Sequence, residues 1–320
     1  MKYLLLFLPL ALFSLEPVLT TTYDNIQDPL IISSYAGEYT GYITYGTGNT
    51  EYVPIKQFVL KDKDGRIVYQ SEDFEHTVVD IASNGMFVGI DFDGPISGKG
   101  TLHFYNPSGT ELNTGTIGFL LDRRFSNSGE IYCVNDGTSG LRVYTNSGEE
   151  LYDLGPVNYF SLSVHGDMIA AARDEQIDVY EKGELLQSIP LISPFIRQMV
   201  FSHDGFLLVY IEKKKLSCYD LQKGEMVFEY SEEDNYLSFI SCDVSPDRAL
   251  IIAGLDEDQG RNSSARHNRG KVTLLDNEGF AVWSQYIPYA NWYVHIPHVT
   301  FSSSSSFSVE TVESIMEYSF

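Results

Sequence analysis

A chain of 320 residues has room for two ordinary domains or one large repeat domain, and a hydrophobic share of 43 % is enough for a packed core. Its 44 acidic side chains against 21 basic ones leave a net charge of −23, which repels phosphate backbones and sets general nucleic-acid binding aside. The same charge keeps a protein soluble and monomeric; collecting divalent cations is the sharper alternative.

The N-terminus reads as an export signal. Lys2 supplies the positive region, and Leu4 to Phe13 form an apolar run too short to span a bilayer. The expected division is a signal segment over residues 1–20 and one repeat domain over 21–320, with cleavage between Ser14 and Thr22 or an uncleaved anchor. No Cys follows the run, which argues against a lipidated N-terminus, and no other stretch looks membrane-spanning. The expected location is therefore secreted, periplasmic or cell-surface. Export permits disulfides, yet Cys133, Cys218 and Cys242 lie far apart, each in an alternating strand pattern. They read as buried thiols, and their spacing fits no zinc motif.

From about residue 28 onward two signals alternate. The first is an apolar strand, a polar turn usually holding Gly, and a second apolar strand. Its copies are centred on Ser34–Gly37, Ser83–Gly85, Ser126–Gly129, Ser163–Gly166, Ser202–Gly205 and Ser245–Arg248, where Arg replaces Gly; a degenerate seventh follows Phe301. The second is an alternating strand, a turn with Gly, and another strand, with turn glycines at Gly65, Gly109, Gly148, Gly183, Gly224 and Gly279. Those positions step by 44, 39, 35, 41 and 55 residues. One turn of each kind makes four strands, A to D, and steps near forty residues match the blade of a β-propeller. The abundance of aromatics (22 Tyr, 19 Phe) suits the same all-β reading.

The expectation is an all-β propeller of about seven four-stranded antiparallel blades. The last segment, 297–320, offers A-, B- and C-like strands but no final turn glycine. Its blade is either incomplete or closed by an N-terminal strand around Thr20 to Ile26, and closure is favoured.

The run Tyr219–Phe228 (YDLQKGEMVF) resembles the strand–turn–strand unit of WD40-like, YVTN-like and quinoprotein-like propellers, and Leu274–Trp283 (LLDNEGFAVW) is similar but one residue shorter in its turn. The resemblance is to the superfamily. The Gly-His and Trp-Asp pairs of WD40 blades are missing, and the tryptophan that quinoprotein repeats place after each last turn stands only at Trp283. No cofactor is carried over.

In a propeller the D–A and B–C connections share one face. Here they vary while the other turns are uniform, so that face is expected to bind. The B–C connection of the sixth blade holds Arg261, Arg266, His267 and Arg269, suited to an anionic group or an acidic partner surface, or else a solvated insertion. The connection that follows carries Trp292, Tyr293 and His295, suited to stacking on sugar rings or apolar side chains, or else packed between blades. Arg124 and Arg197 stand on A strands, where two cations hold an anion or pair with acidic neighbours. His76, Arg123, Tyr159 and Tyr236 are expected on the same face. Asp91 and Asp93 suggest a calcium loop less well than a simple turn, so no metal ligands are assigned.

No nucleophile elbow, H-E-x-x-H or phosphate loop is present. The leading reading is a non-enzymatic binding scaffold for a protein or carbohydrate. The alternative is a propeller lyase or hydrolase acting on a small anionic or carbohydrate substrate.

Overall fold

The computed structural model describes residues 19–22, 30–34, 37–45, 54–93, 99–212, 214–234, 237–257, 269–288, 297–311 and 314–320. Twenty-eight strands and no α-helix occur among them. Strand β1 (Leu19–Thr22) comes first. The first sheet is β2 (Leu30–Ser33), β3 (Tyr39–Tyr45), β4 (Ile55–Asp62) and β5 (Ile67–Ser71), and the second is β6 (Val78–Ile81), β7 (Phe87–Phe92), β8 (Gly100–Tyr105) and β9 (Glu111–Ile117). The third comprises β10 (Leu120–Phe125), β11 (Ile131–Asp136), β12 (Gly140–Thr145) and β13 (Glu150–Asp153). In the fourth are β14 (Tyr159–Leu162), β15 (Met168–Ala172), β16 (Gln176–Glu181) and β17 (Glu184–Pro190). The fifth holds β18 (Ile196–Phe201), β19 (Leu207–Glu212), β20 (Lys215–Asp220) and β21 (Glu225–Ser231). β22 (Leu237–Val244), β23 (Leu250–Glu257), β24 (Arg269–Asp276) and β25 (Ala281–Pro288) make the sixth; β26 (His298–Ser303), β27 (Ser306–Glu310) and β28 (Ser314–Ser319) belong to the seventh.

Six sheets run in simple chain order, and the seventh runs β1-β28-β27-β26. The N-terminal strand therefore supplies the outer strand of the last sheet, antiparallel to β28, with Thr20 opposite Met316. This is the closure expected from the missing turn glycine. The strand begins at Leu19.

The turn residues explain the repeat. At the A–B turns the hydroxyls of Ser34, Ser126, Ser163, Ser202 and Ser245 each accept the backbone N–H five residues on. That bond satisfies a donor at the strand start, and the position three residues after each serine has a positive φ (Gly37, Gly129, Gly166, Gly205 and Arg248). At the C–D turns, Asp62, Asn106 and Asp276 each accept the N–H groups two and four residues on. The following glycine then turns the chain at positive φ.

Two of these glycines make a clean comparison. A Cβ on Gly65 (φ 78°) meets nothing within 4 Å, whereas one on Gly109 (φ 82°) falls 1.9 Å from the Tyr69 ring. Gly65→Ala is expected to cost about 1 kcal/mol, the left-handed strain alone. Gly109→Ala is expected to cost roughly twice that or more, because the ring must also move. Urea unfolding of the two variants checks the difference.

Successive residues of each strand serve different cores. On β7, Phe87 joins the cluster shared with the first sheet, while Val88 and Ile90 join that shared with the third. On β11, Tyr132 and Val134 face the second sheet and Cys133 faces the fourth. Period-two alternation with both faces apolar is thus the mark of a sheet sandwiched between neighbours. Phe58, Phe87, Phe104 and Phe160 are fully buried, each contributing roughly 2–3 kcal/mol relative to exposure. Cys133, Cys218 and Cys242 are buried and form no disulfide with one another, as read from the sequence. Burial pushes the thiols of Cys133 and Cys218 up, the latter to about 12.

Contacts are densest within two units. One is Asp24–Ser231, holding the first five sheets; the other joins β1 to Glu232–Phe320 and holds the sixth and seventh. Inside the second unit, Val272, Val299, Phe307 and Tyr318 form the shared core, and Ser241 donates its hydroxyl to the Pro297 carbonyl. No helix among the described residues is long and apolar enough to cross a membrane.

Candidate functional site

Three A strands of the larger unit, β2, β6 and β10, border an open pocket of about 250 Å³ lined by Ile32, Ser33, Asp80, Arg123, Arg124 and Phe125 among others. Arg123 donates from Nε to Asp80 Oδ2 at 2.6 Å, and the Tyr132 hydroxyl donates to the same oxygen at 2.7 Å. Arg124 pairs with Asp122, and its guanidinium lies 4.7 Å from the Phe160 ring centre and 5.4 Å from that of Tyr159. Pairing with an acidic neighbour is one of the two roles the sequence left open to Arg124. The pocket thus presents cations already matched by carboxylates. Arg197 is exposed on β18, and no ion pair holds it among the described residues.

The connections on the expected binding face are pinned by buried acids. Asp136, at the end of β11, is 2 % exposed. It accepts the N–H groups of Gly118, Phe119 and Thr138 at 2.8, 2.9 and 2.9 Å, the Ser139 hydroxyl at 2.9 Å and Arg142 at 2.9 Å. One carboxylate thereby ties the D–A connection before the third sheet to that sheet's B–C turn. In the fourth sheet Arg173 does related work, bonding Asp178 at 2.8 Å, Tyr180 at 3.1 Å and the Leu154 carbonyl at 2.7 Å.

Exposed apolar groups stand on two D–A connections and at the start of β10. Phe119 and Leu121 are 46 % and 55 % exposed, and Ile192 and Phe195, between β17 and β18, are 77 % and 74 % exposed.

A second polar group lies in the second sheet. His76, in the connection leading to β6, is 6 % exposed and rests over β7 where Gly89 leaves room: a Cβ there falls 2.3 Å from the imidazole. Its Nδ1 is 2.7 Å from Asp91 Oδ1, and its Nε2 is 2.7 Å from the Tyr105 hydroxyl. His103, opposite Gly89 across the β7–β8 pair, puts Nε2 3.1 Å from Asp91 Oδ2 and Nδ1 3.2 Å from Glu111 Oε2. The Tyr105 hydroxyl also stands 3.3 Å from Glu111 Oε2. Burial first, then the Glu111 charge, pushes the Tyr105 phenol well up, so it remains a donor. One ligand atom each from His76, Asp91 and His103 lie within 4.8 Å of one another. The sequence placed His76 on a connection and weighed Asp91 for calcium, but gave no hint of His103.

Arg261, Arg266, His267, Trp292, Tyr293, His295 and Tyr236 lie outside the described residues. Arg269 begins β24, and its side chain is likewise outside them.

No family profile and no curated protein matches the sequence. Solved structures do match in shape. The C-terminal WD40 domain of Sif2 gives a TM-score of 0.60 at 11 % identity, over 91 % of this chain and 81 % of that one. Hsv2 of Kluyvelomyces marxianus gives 0.59 at 10 % identity, over 89 % of each chain. The β-propeller domain of Cps50 (Swd1) from Myceliophteria thermophila gives 0.60 at 9 %, over 96 % of this chain and 99 % of that one. The fold is a seven-bladed β-propeller. At these identities the likeness carries the propeller architecture alone, and its blades are the seven four-stranded sheets described above.

Proposed function

We propose that this chain is an exported, non-enzymatic scaffold that binds a protein partner through its D–A and B–C connections. The carrying observation is the β17–β18 connection, where Ile192 and Phe195 are 77 % and 74 % exposed, the most open large apolar side chains among the described residues. Leaving them in water gains nothing for folding, while Phe and Arg side chains of this kind dominate protein interfaces. Arg197 is exposed two residues further on, and Phe119, on the connection before β10, and Leu121, at the start of β10, present the same character. The paired arginines of the A-strand pocket supply no matching attraction for a small anion. Export is supported by Lys2 and the apolar run Leu4 to Phe13.

The test is pull-down with the unsubstituted chain as bait, followed by measurement of affinity for a protein so recovered. The double variant Ile192→Ser, Phe195→Ser is expected to bind at least about tenfold more weakly, with an unchanged thermal midpoint. Full retention of affinity would sink the proposal. Deleting 261–269 together with Trp292→Ala tests the arginine-rich and aromatic connections that the sequence singles out, and is expected to weaken recovery of the partner.

A further inference from the structure

We propose that His76, Asp91 and His103 form a binding site for a divalent transition metal of the zinc type, independent of any partner surface. Two imidazoles and one carboxylate are a donor set that suits such ions and leaves coordination positions open. The three donor atoms lie within 4.8 Å of one another. Bonds of about 2.0–2.2 Å to each are reached by small adjustments, and the Asp91 side chain, 41 % exposed, is free to make them.

The outer contacts carry the argument further. An imidazole that binds a metal through one nitrogen is held in place when its other N–H donates to an oxygen. Both rings already have that partner: the Tyr105 hydroxyl 2.7 Å from His76 Nε2, and Glu111 Oε2 3.2 Å from His103 Nδ1. Tyr105 in turn faces Glu111 at 3.3 Å, so it can accept from His76 while donating to the carboxylate.

Hydrogen-bond accounting points the same way. His103 has a carboxylate oxygen opposite each ring nitrogen, Asp91 at 3.1 Å and Glu111 at 3.2 Å. A ring with a single N–H sets a lone pair against one of these carboxylates, a contact that either a second proton or a bound cation relieves. With N–H groups turned outward to Tyr105 and Glu111, the two inner nitrogens offer lone pairs towards Asp91. A cation between them satisfies every contact at once. Gly89 is part of the same construction, since any larger residue there would displace His76 from the sheet.

Full-length protein is titrated with Zn²⁺ against a chromophoric chelator, alongside His103→Gln and Asp91→Asn. The unsubstituted chain is expected to hold one more zinc than either variant, and zinc should raise its thermal midpoint alone. Glu111→Gln, a positioning change, is expected to keep the stoichiometry and weaken binding about tenfold or more, with the metal-free thermal midpoint unchanged. Equal zinc uptake by all chains means adventitious zinc on an acidic surface and overturns the proposal, as does no uptake by the unsubstituted chain. Should His103→Gln fail to fold, Asp91→Asn decides, because its amide keeps the shape of an exposed side chain.

Discussion

Replacing Asp136 with alanine is expected to destabilise the protein by about 3–5 kcal/mol, the cost of removing one partner from a buried charged network. Five donors converge on this carboxylate, and Arg142 is left with a buried charge when it goes. Burial by itself would raise the Asp136 carboxyl, but the N–H groups of Gly118, Thr138 and Phe119 and the Ser139 hydroxyl outweigh it. They hold the group far below the ordinary carboxylate range. The native state therefore binds fewer protons than the unfolded chain between that depressed value and about pH 4, so stability rises with pH across that window. The Asp136 contribution is fully present above the unfolded value and is lost as the pH falls through the native one. Asp136→Ala should lower the thermal midpoint at neutral pH by on the order of 5 °C and flatten the acid limb of the stability profile. Calorimetry at neutral pH and at about pH 3 measures both effects. An unchanged midpoint would show that the two connections hold without their shared carboxylate.

The blades were legible because their determinants are local. In four blades a serine with glycine three residues on closes one turn, at Gly37, Gly129, Gly166 and Gly205, and in three an Asp or Asn with glycine three residues on closes the other, at Gly65, Gly109 and Gly279. The missing last strand could be inferred by counting turns, and β1 fills it. Arg248 shows the limit of reading glycine as the signal. It holds φ 61° at the position where the other turns place glycine, because the Ser245 bonds define the turn regardless.

The side-chain networks were not legible, for a different reason. Asp136 sits in an Asp-Gly-Thr-Ser-Gly run that reads as an ordinary turn, and two of its donors come from a preceding connection. His103 occupies an alternating strand whose pattern says only which face it takes. Its chemistry depends on His76, which reaches it through the vacancy at Gly89, and on Glu111, brought alongside by the β8–β9 pairing. Arg124 was found by its place on an A strand, but its role was set by Asp122 and Phe160, which strand position alone does not rank.

A chain starting at Leu19 and one starting at Asp24 are expected to differ sharply, by about 3 kcal/mol in the stability of the last blade. The estimate follows from the register. Four residue pairs, from Leu19 opposite Glu317 to Thr22 opposite Ser314, join β1 to β28, worth roughly four backbone hydrogen bonds at about 0.5–1.5 kcal/mol net each. Without β1, strand β28 becomes an open edge whose N–H and C=O groups invite pairing with another chain. The core beneath it depends on that edge staying in place: Phe307 stacks on Tyr318 with ring centres 4.9 Å apart, and Trp283 packs against both. Hydrogen exchange should therefore quicken across β26 to β28 in the shorter chain, and concentration-dependent association should appear, while the first five blades keep their protection. Equal protection in both chains would mean that β1 contributes nothing to the seventh blade. Under the proposed export, a leader cut after Thr22 would take β1 with it, whereas a cut before Leu19 would leave the blade four-stranded. If the proposed export holds, the intact mass of the mature chain is expected to place the cut before Leu19.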